Sequence, residues 1–201
     1  MKYTILLILL FSCFQLSAQE DYTIYINGTE LKVALDKNYE TVINGKKVSF
    51  SIKANDTLTY VDDVLSFKYP KGLTASKTQL DGGIEQIAIL NASGSGIIIQ
   101  KYASLDPSPI KEFILNEMTK ESIGYGYASK KTEYKRTLAS GSSIDILKAT
   151  LSYKDETNVY EIASLGKKDE GILVMTLNMN DGEDTVGQGL IDLMWKTIKV
   201  K

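Results

Sequence analysis

The fold is decided by residues 141–180, which read GSSIDILKATLSYKDETNVYEIASLGKKDEGILVMTLNMN. Three segments in this stretch are rich in apolar residues and are separated by short polar turns: residues 144–153, 158–165 and 171–179. Turns this short can join only antiparallel neighbours, because a parallel connection needs a dozen or more residues. The stretch therefore predicts a three-stranded antiparallel meander.

A C-terminal helix is predicted to follow the meander. After residue 184 the spacing of apolar residues changes from every second residue to about 3.6, the helical period. Thr185 with Gln188 three residues later matches a capping box, so we expect the helix to begin there. Its apolar face is formed by Leu190, Ile191, Met194, Trp195 and Ile198. A helix with one apolar face must bury that face, and we expect it to pack on the sheet.

The middle of the chain predicts further short strands and one more helix. Ser108 and Pro109 suit the start of a helix, and Gly124 is expected to end it. The apolar face of this helix is expected to carry Ile110, Phe113, Ile114 and Met118. The strand segments are residues 58–61, 64–69, 73–80, 84–90, 97–102 and 132–139. Strands in runs with few helices indicate an α+β fold, an antiparallel sheet with two main helices packed on it.

A small β-hairpin unit is predicted before this domain. Asn27-Gly28 and Asn44-Gly45 each lie between alternating apolar residues, and Asn-Gly is the strongest short signal for a hairpin turn. We therefore assign residues 19–56 to a small β-hairpin unit and residues 57–201 to the main α+β domain.

The N-terminus is predicted to be a signal peptide over residues 1–18. Lys2 precedes a short apolar run, and the small residues Ser17 and Ala18 precede Gln19. The apolar run is too short for a spanning helix. We expect an exported protein of the periplasm or cell surface. Cys13, the single cysteine, leaves open the alternative of lipoprotein anchoring, with cleavage before that residue.

Composition narrows the possible functions. The formal net charge is −2, so nothing in the charge balance favours nucleic-acid binding. The chain has no histidine, which removes the commonest general base and the commonest transition-metal ligand. We predict no catalytic residue, no metal site and no cofactor.

Three polar clusters are candidates for chemistry. Asp62 and Asp63 are neighbours and would point to opposite sides of a strand, which favours a solvated turn over an acid–base pair. Residues 91–96 are interpreted as a flexible hairpin tip, because no helix follows to bind a phosphate. The run from Asn178 to Asp184 is rich in oxygen ligands, but its spacing differs from that of a calcium loop. Whether this loop binds calcium stays open.

The run VLSFKYPKGL at residues 64–73 resembles the beginning of PsbP-like and DcrB-like domains. The order that follows, with strands, one helix, a long meander and a C-terminal helix, is also similar. The resemblance covers about residues 57–201. It implies an α/β/α-type sandwich without catalytic residues. It also implies an exported accessory protein that binds partners.

We therefore predict a non-enzymatic accessory or binding domain of the bacterial cell envelope. Its partner is expected to be another envelope protein or a small apolar ligand. The alternative is an extracytoplasmic hydrolase that uses carboxylates or a bound cation. That alternative requires two acidic residues to face one cleft within about 10 Å. The candidates for such a pair are Asp62, Asp63, Asp181, Glu183 and Asp184.

Overall fold

The computed structural model describes residues 21–201. The predicted signal peptide at residues 1–18 and Cys13 lie outside these residues. The described chain divides into two compact units, residues 21–55 and residues 56–201.

The first unit consists of two antiparallel hairpins. Their strands are β1 (Asp21–Ile26), β2 (Thr29–Ala34), β3 (Asn38–Ile43) and β4 (Lys46–Ser51). At the two turns Asn27 and Asn44 have φ values of 49° and 51°, and the glycines after them are also at positive φ. Both central residues of a type I′ turn need such angles, which explains the Asn-Gly sequences. The Tyr39 hydroxyl accepts a hydrogen bond from the Ala34 amide at 2.6 Å, which ties the second hairpin to the first.

The second unit is built on a seven-stranded antiparallel sheet. Its strands are β7 (Ser76–Leu80), β8 (Ile84–Leu90), β9 (Gly96–Tyr102), β10 (Ala128–Thr137), β11 (Ser143–Tyr153), β12 (Glu156–Lys167) and β13 (Glu170–Asn178). Their order across the sheet is β10-β11-β12-β13-β9-β8-β7. The predicted meander is confirmed as β11, β12 and β13. The strand predicted from residue 73 begins only at Ser76, and the one predicted from residue 132 already begins at Ala128.

A smaller sheet and two α-helices complete this unit. The small sheet has the order β14-β6-β5, formed by β5 (Thr57–Val61), β6 (Leu65–Pro70) and β14 (Lys199–Val200). Helix α1 is Lys111–Tyr125, and helix α2 is Thr185–Thr197. A 3-10 turn at Ser108–Ile110 contains Pro109 and leads into α1.

Two details predicted for α1 are wrong. The helix ends at Gly126, which has a φ of 111°, and not at Gly124. A left-handed residue after the last turn is the usual way to end a helix, and glycine adopts it without strain. Phe113, predicted to lie on the apolar face, is 60% exposed, whereas Leu115 is fully buried. Leu115 belongs to the same buried cluster as Leu173 of the sheet. Phe113 is two residues earlier on the helix, about 200° around its axis, and therefore faces solvent.

The two helices cover opposite faces of the large sheet. Leu173 of β13 belongs to the apolar cluster around Leu115 of α1, and the next residue, Val174, belongs to the cluster around Trp195 of α2. Neighbouring residues of a strand point to opposite faces. The small sheet lies on the α2 face, because Phe67 of β6 is in the same cluster as Trp195. The predicted α+β class, an antiparallel sheet with two packed helices, is confirmed.

Helix α2 begins with a cap that the sequence pattern did not identify. The carboxylate of Asp184, and not the hydroxyl of Thr185, accepts a hydrogen bond from the Gly187 amide at 2.9 Å. Asp184 also accepts hydrogen bonds from Asn91 Nδ2 at 2.8 Å and from Ser93 Oγ at 2.5 Å. These bonds hold the pKa of Asp184 well below its usual range.

The same contacts correct the interpretation of residues 91–96 as a flexible tip. Ser95 is fully buried, and its hydroxyl accepts a hydrogen bond from the Met179 amide at 2.9 Å. The loop between β8 and β9 is therefore fixed against the start of α2.

We predict that Asp184→Ala lowers the free energy of unfolding by about 1 to 2 kcal/mol, because the substitution removes the cap of α2. Denaturant unfolding followed by the fluorescence of Trp195, the single tryptophan, measures this change. Glu183→Ala is the matched control, since Glu183 is exposed and bonds only its neighbour Asn180. Equal losses in both variants would contradict the assigned cap.

A candidate binding site at the end of the large sheet

A cavity of about 840 Å³ lies at one end of the large sheet. Strands β9 and β12 end there, and strands β11 and β13 begin there, because neighbouring strands run in opposite directions. The turn between β5 and β6 and the start of α1 also contribute to its walls. This volume lies within the range of pockets that bind small molecules.

The walls of the cavity combine apolar and charged groups. The apolar part includes Tyr102, Ile144, Leu165 and Ile172. The charged part includes Lys101, Lys111, Lys201, Asp63, Asp145 and Glu170. The cavity therefore presents apolar and charged groups side by side.

Lys101 is one of the enclosed charges, with 13% of its side chain exposed. Its ammonium nitrogen lies 2.9 Å from Asp62 Oδ2 and 3.6 Å from Asp63 Oδ1, and it also pairs with Glu85. Asp62 follows β5 of the small sheet, whereas Glu85 is on β8 and Lys101 on β9 of the large sheet. The ion cluster therefore joins the two sheets beside the cavity.

Asp62 is not in the solvated turn that the sequence predicted. Its carboxylate accepts hydrogen bonds from the amides of Val64 at 2.8 Å and Leu65 at 2.9 Å, and from the Tyr60 hydroxyl at 3.0 Å. Asp63, in contrast, is 86% exposed, so the prediction holds for that residue alone. The prediction failed for Asp62 because Lys101 comes within reach only when the two sheets pack together.

The ion cluster is charged at neutral pH. Burial raises the pKa of Asp62, but the hydrogen bonds from Lys101, Leu65 and Val64 outweigh it and bring the pKa to about 2. Burial lowers the pKa of Lys101, but its bonds to Glu85 and Asp62 outweigh that effect, so the pKa is raised. Burial and the neighbouring Asp62 raise the pKa of Tyr60 to about 12. None of these three groups is poised to exchange protons near pH 7.

The depressed pKa of Asp62 has a direct consequence for stability. In the unfolded chain an aspartate has a pKa near 4. The Asp62 carboxylate therefore stabilises the fold at pH values above about 4, and its contribution is lost as the pH falls from 4 towards the folded value.

Two glycines of the meander shape one wall of the cavity. A Cβ atom at Gly166 would overlap the Asp106 carboxylate, and one at Gly171 would overlap the Pro107 ring. Glycine at both positions thus allows the segment before α1 to lie directly on the hairpin of β12 and β13. Sequence reasoning missed this wall, because nothing local to either glycine indicates what packs on it.

The five acidic residues named for the alternative, a hydrolase, do not converge in the pockets that the structure shows. Asp63 lines the cavity at the sheet end, and Asp181 lines a separate pocket of about 250 Å³. Asp62 binds Lys101, and Asp184 caps α2. Glu183 accepts a hydrogen bond from Asn180. Neither pocket is therefore lined by two of the five residues.

Two carboxylates of the loop from Asn178 to Asp184 accept hydrogen bonds from asparagines of the same loop. Asn178 Nδ2 donates to Asp181 at 2.7 Å, and Asn180 Nδ2 donates to Glu183 at 2.6 Å. Across residues 21–201, no group of three or more acidic, cysteine or histidine residues is arranged to hold a metal ion.

The fold has a counterpart among solved structures. The solution structure of cyanobacterial PsbP (CyanoP) from Synechocystis sp. PCC 6803 matches with a TM-score of 0.50 and 12% sequence identity. The match covers 75% of this chain and 95% of that chain. The chain has a PsbP-like fold. This confirms the PsbP part of the predicted resemblance as a likeness of fold.

No protein-family model matches the sequence, and neither does any curated protein. Within the described part of the chain, no helix has both the length and the apolar character needed to cross a membrane.

We predict that Lys101→Met lowers the free energy of unfolding by about 3 kcal/mol, because it leaves the Asp62 and Glu85 carboxylates beside each other without their shared cation. Lys135→Met is the control, since its ion pair with Asp145 is exposed on both sides and is worth less than about 1 kcal/mol. Denaturant unfolding at pH 7 measures both values. A loss at Lys101 no larger than that at Lys135 would show that the ion cluster is not structural.

A second prediction concerns the glycine wall. Gly171→Ala is expected to destabilise the chain by about 2 kcal/mol, because the new methyl group overlaps the Pro107 ring and nearby backbone. Gly189→Ala is the matched control: nothing lies within 4 Å of its Cβ position, and alanine favours a helix by up to about 1 kcal/mol. Thermal unfolding of the two variants should therefore shift in opposite directions. A stabilised Gly171→Ala variant would contradict the described wall.

Proposed function

We propose that this protein is an exported, non-enzymatic accessory protein of the bacterial cell envelope that binds a small amphipathic ligand in the cavity at the sheet end. The main support for the proposal is the cavity, which has a volume of about 840 Å³ and is lined by both apolar and charged side chains. The PsbP-like fold supports the accessory role, because an accessory role is what the resemblance to PsbP-like domains implies.

The charges of the cavity favour a ligand with an anionic end. Lys101 is neutralised by Asp62 and Glu85, and Asp145 is paired with Lys135. Neither Lys111 nor Lys201 has a carboxylate within 4 Å among the described side chains. The Lys201 ammonium group donates to the Asp62 carbonyl oxygen, so Lys111, in the field of Asp145, is the cation that we assign to the ligand. The apolar side chains beside it would contact the hydrocarbon part. A fatty acid is the simplest molecule with both features.

The finer assignments belong to the same proposal. Residues 1–18 are the signal peptide, residues 19–56 a separate small unit, and residues 57–201 the ligand-binding domain. Helices α1 and α2 on the two faces of the sheet would form the α/β/α-type sandwich that the resemblance implies. The location in the periplasm or at the cell surface rests on the N-terminal sequence.

The experiment compares three eight-carbon probes that differ only in their polar end: octanoate, octylamine and octanol. Octanoate should raise the melting temperature of the purified chain, because a ligand that binds only the folded state stabilises it. Octylamine and octanol should raise it less. Calorimetry then gives the dissociation constant for octanoate.

Two variants locate the binding site. Lys111→Gln should weaken octanoate binding about tenfold, the loss expected for one charged hydrogen bond. Lys120→Gln is the control, because Lys120 is on the same helix but does not line the cavity. If none of the probes binds, or if Lys111→Gln leaves the affinity unchanged, the proposed ligand site is wrong.

A further inference from the structure

A second pocket, of about 250 Å³, lies on the α2 face of the large sheet. Its floor is formed by Lys148, Glu161 and Thr176, which are direct neighbours across β11, β12 and β13. Asn178, two residues after Thr176 on β13, also lines the pocket. Gln188 and Asp192 of α2 form one of its side walls. The pocket shares no lining residue with the cavity at the sheet end.

The floor of this pocket is polar although it is buried. Glu161, Thr176 and Asn178 are 7%, 2% and 4% exposed. Burial of polar side chains costs free energy unless each finds a partner. Glu161 has partners, since its carboxylate accepts a hydrogen bond from the Tyr134 hydroxyl at 2.7 Å and lies 3.5 Å from the Arg136 guanidinium.

Three other polar groups of the pocket lack a partner within the described chain. Asn178 Nδ2 donates to Asp181 and Gln188, but Asn178 Oδ1 accepts no hydrogen bond. Lys148 has no carboxylate within 4 Å among residues 21–201, although its neighbour across the strands is Glu161. Arg136 Nε also has no hydrogen-bond partner. Among the described residues the pocket therefore offers one unpaired ammonium group, one unsatisfied acceptor and one unsatisfied donor.

The charges of the lining restrict what could occupy the pocket. Arg136 and Lys148 are positive, and Glu161, Asp181 and Asp192 are negative. A simple anion would meet three carboxylates, and a simple cation would leave Lys148 without a partner. A molecule that carries both signs of charge satisfies both ends of the pocket.

We propose that this pocket binds a small zwitterion, of which a free α-amino acid is the simplest. The carboxylate of the ligand pairs with Lys148. The ammonium group lies on the side of Asn178, Asp181 and Asp192. This site is independent of the fatty-acid site in the sheet-end cavity.

The test is a thermal-shift screen of the purified chain against the twenty free L-amino acids, followed by calorimetry of those that bind. Acetate and methylamine, which correspond to the two ends of glycine, are the single-charge controls. At least one amino acid should raise the melting temperature, and neither control should raise it at the same concentration.

Variants assign the binding to this pocket. Lys148→Gln should lower the affinity for the amino acid about tenfold. Asp192→Asn should lower this affinity as well, because each substitution removes one charge partner. Lys130→Gln is the matched control, since Lys130 is exposed on β10 and does not line the pocket. The melting temperature of each variant without ligand shows that it folds.

Two results would overturn the proposal. In one, all twenty amino acids leave the melting temperature unchanged, which would show that the pocket binds none of them. In the other, an amino acid binds but Lys148→Gln has the same affinity as the unaltered chain, which would place the binding elsewhere. Neither result affects the octanoate experiment, because Lys148 does not line the sheet-end cavity.

Discussion

The ammonium group of Lys101 is the charge around which the second unit is arranged. An enclosed cation destabilises a fold unless carboxylates and hydrogen bonds neutralise it. Here Asp62 comes from the turn after β5, and Glu85 comes from β8. The turn after β5 is therefore bound to the large sheet by an ion pair, and the amides of Val64 and Leu65 fix the carboxylate from the other side.

The sheet-end cavity follows from this arrangement and from the glycine wall. Lys101 and Asp63 hold one side of the cavity, and the segment before α1 forms another where it crosses Gly166 and Gly171. These contacts involve backbone, a proline ring, the Asp106 carboxylate and the enclosed Lys101–Asp62 pair, together with the exposed Asp63. The cavity does not depend on a bound molecule for its shape, so a ligand that entered it would lose little entropy to ordering of the walls.

Periodicity predicted the parts of the fold that depend on neighbours in sequence. The meander and the apolar face of α2 with Leu190, Met194 and Trp195 follow directly from the spacing of apolar residues. The contacts that define the site join distant residues, such as Asp62 with Lys101 or Asn91 with Asp184. A local pattern carries no information on such partners, so it gave a solvated turn and a flexible tip instead. For the same reason neither pocket could be predicted from the sequence, because each is lined by residues that are distant in the chain.

The most direct test of this account is the titration of the Asp62 carboxyl carbon by NMR, with Trp195 fluorescence as the check that the chain stays folded. We predict a midpoint near pH 2, because Lys101 and two amides stabilise the carboxylate. In the Lys101→Met variant the midpoint should move upward. A midpoint near pH 4 in the unaltered chain, the ordinary value for an aspartate, would show that the ion cluster does not form.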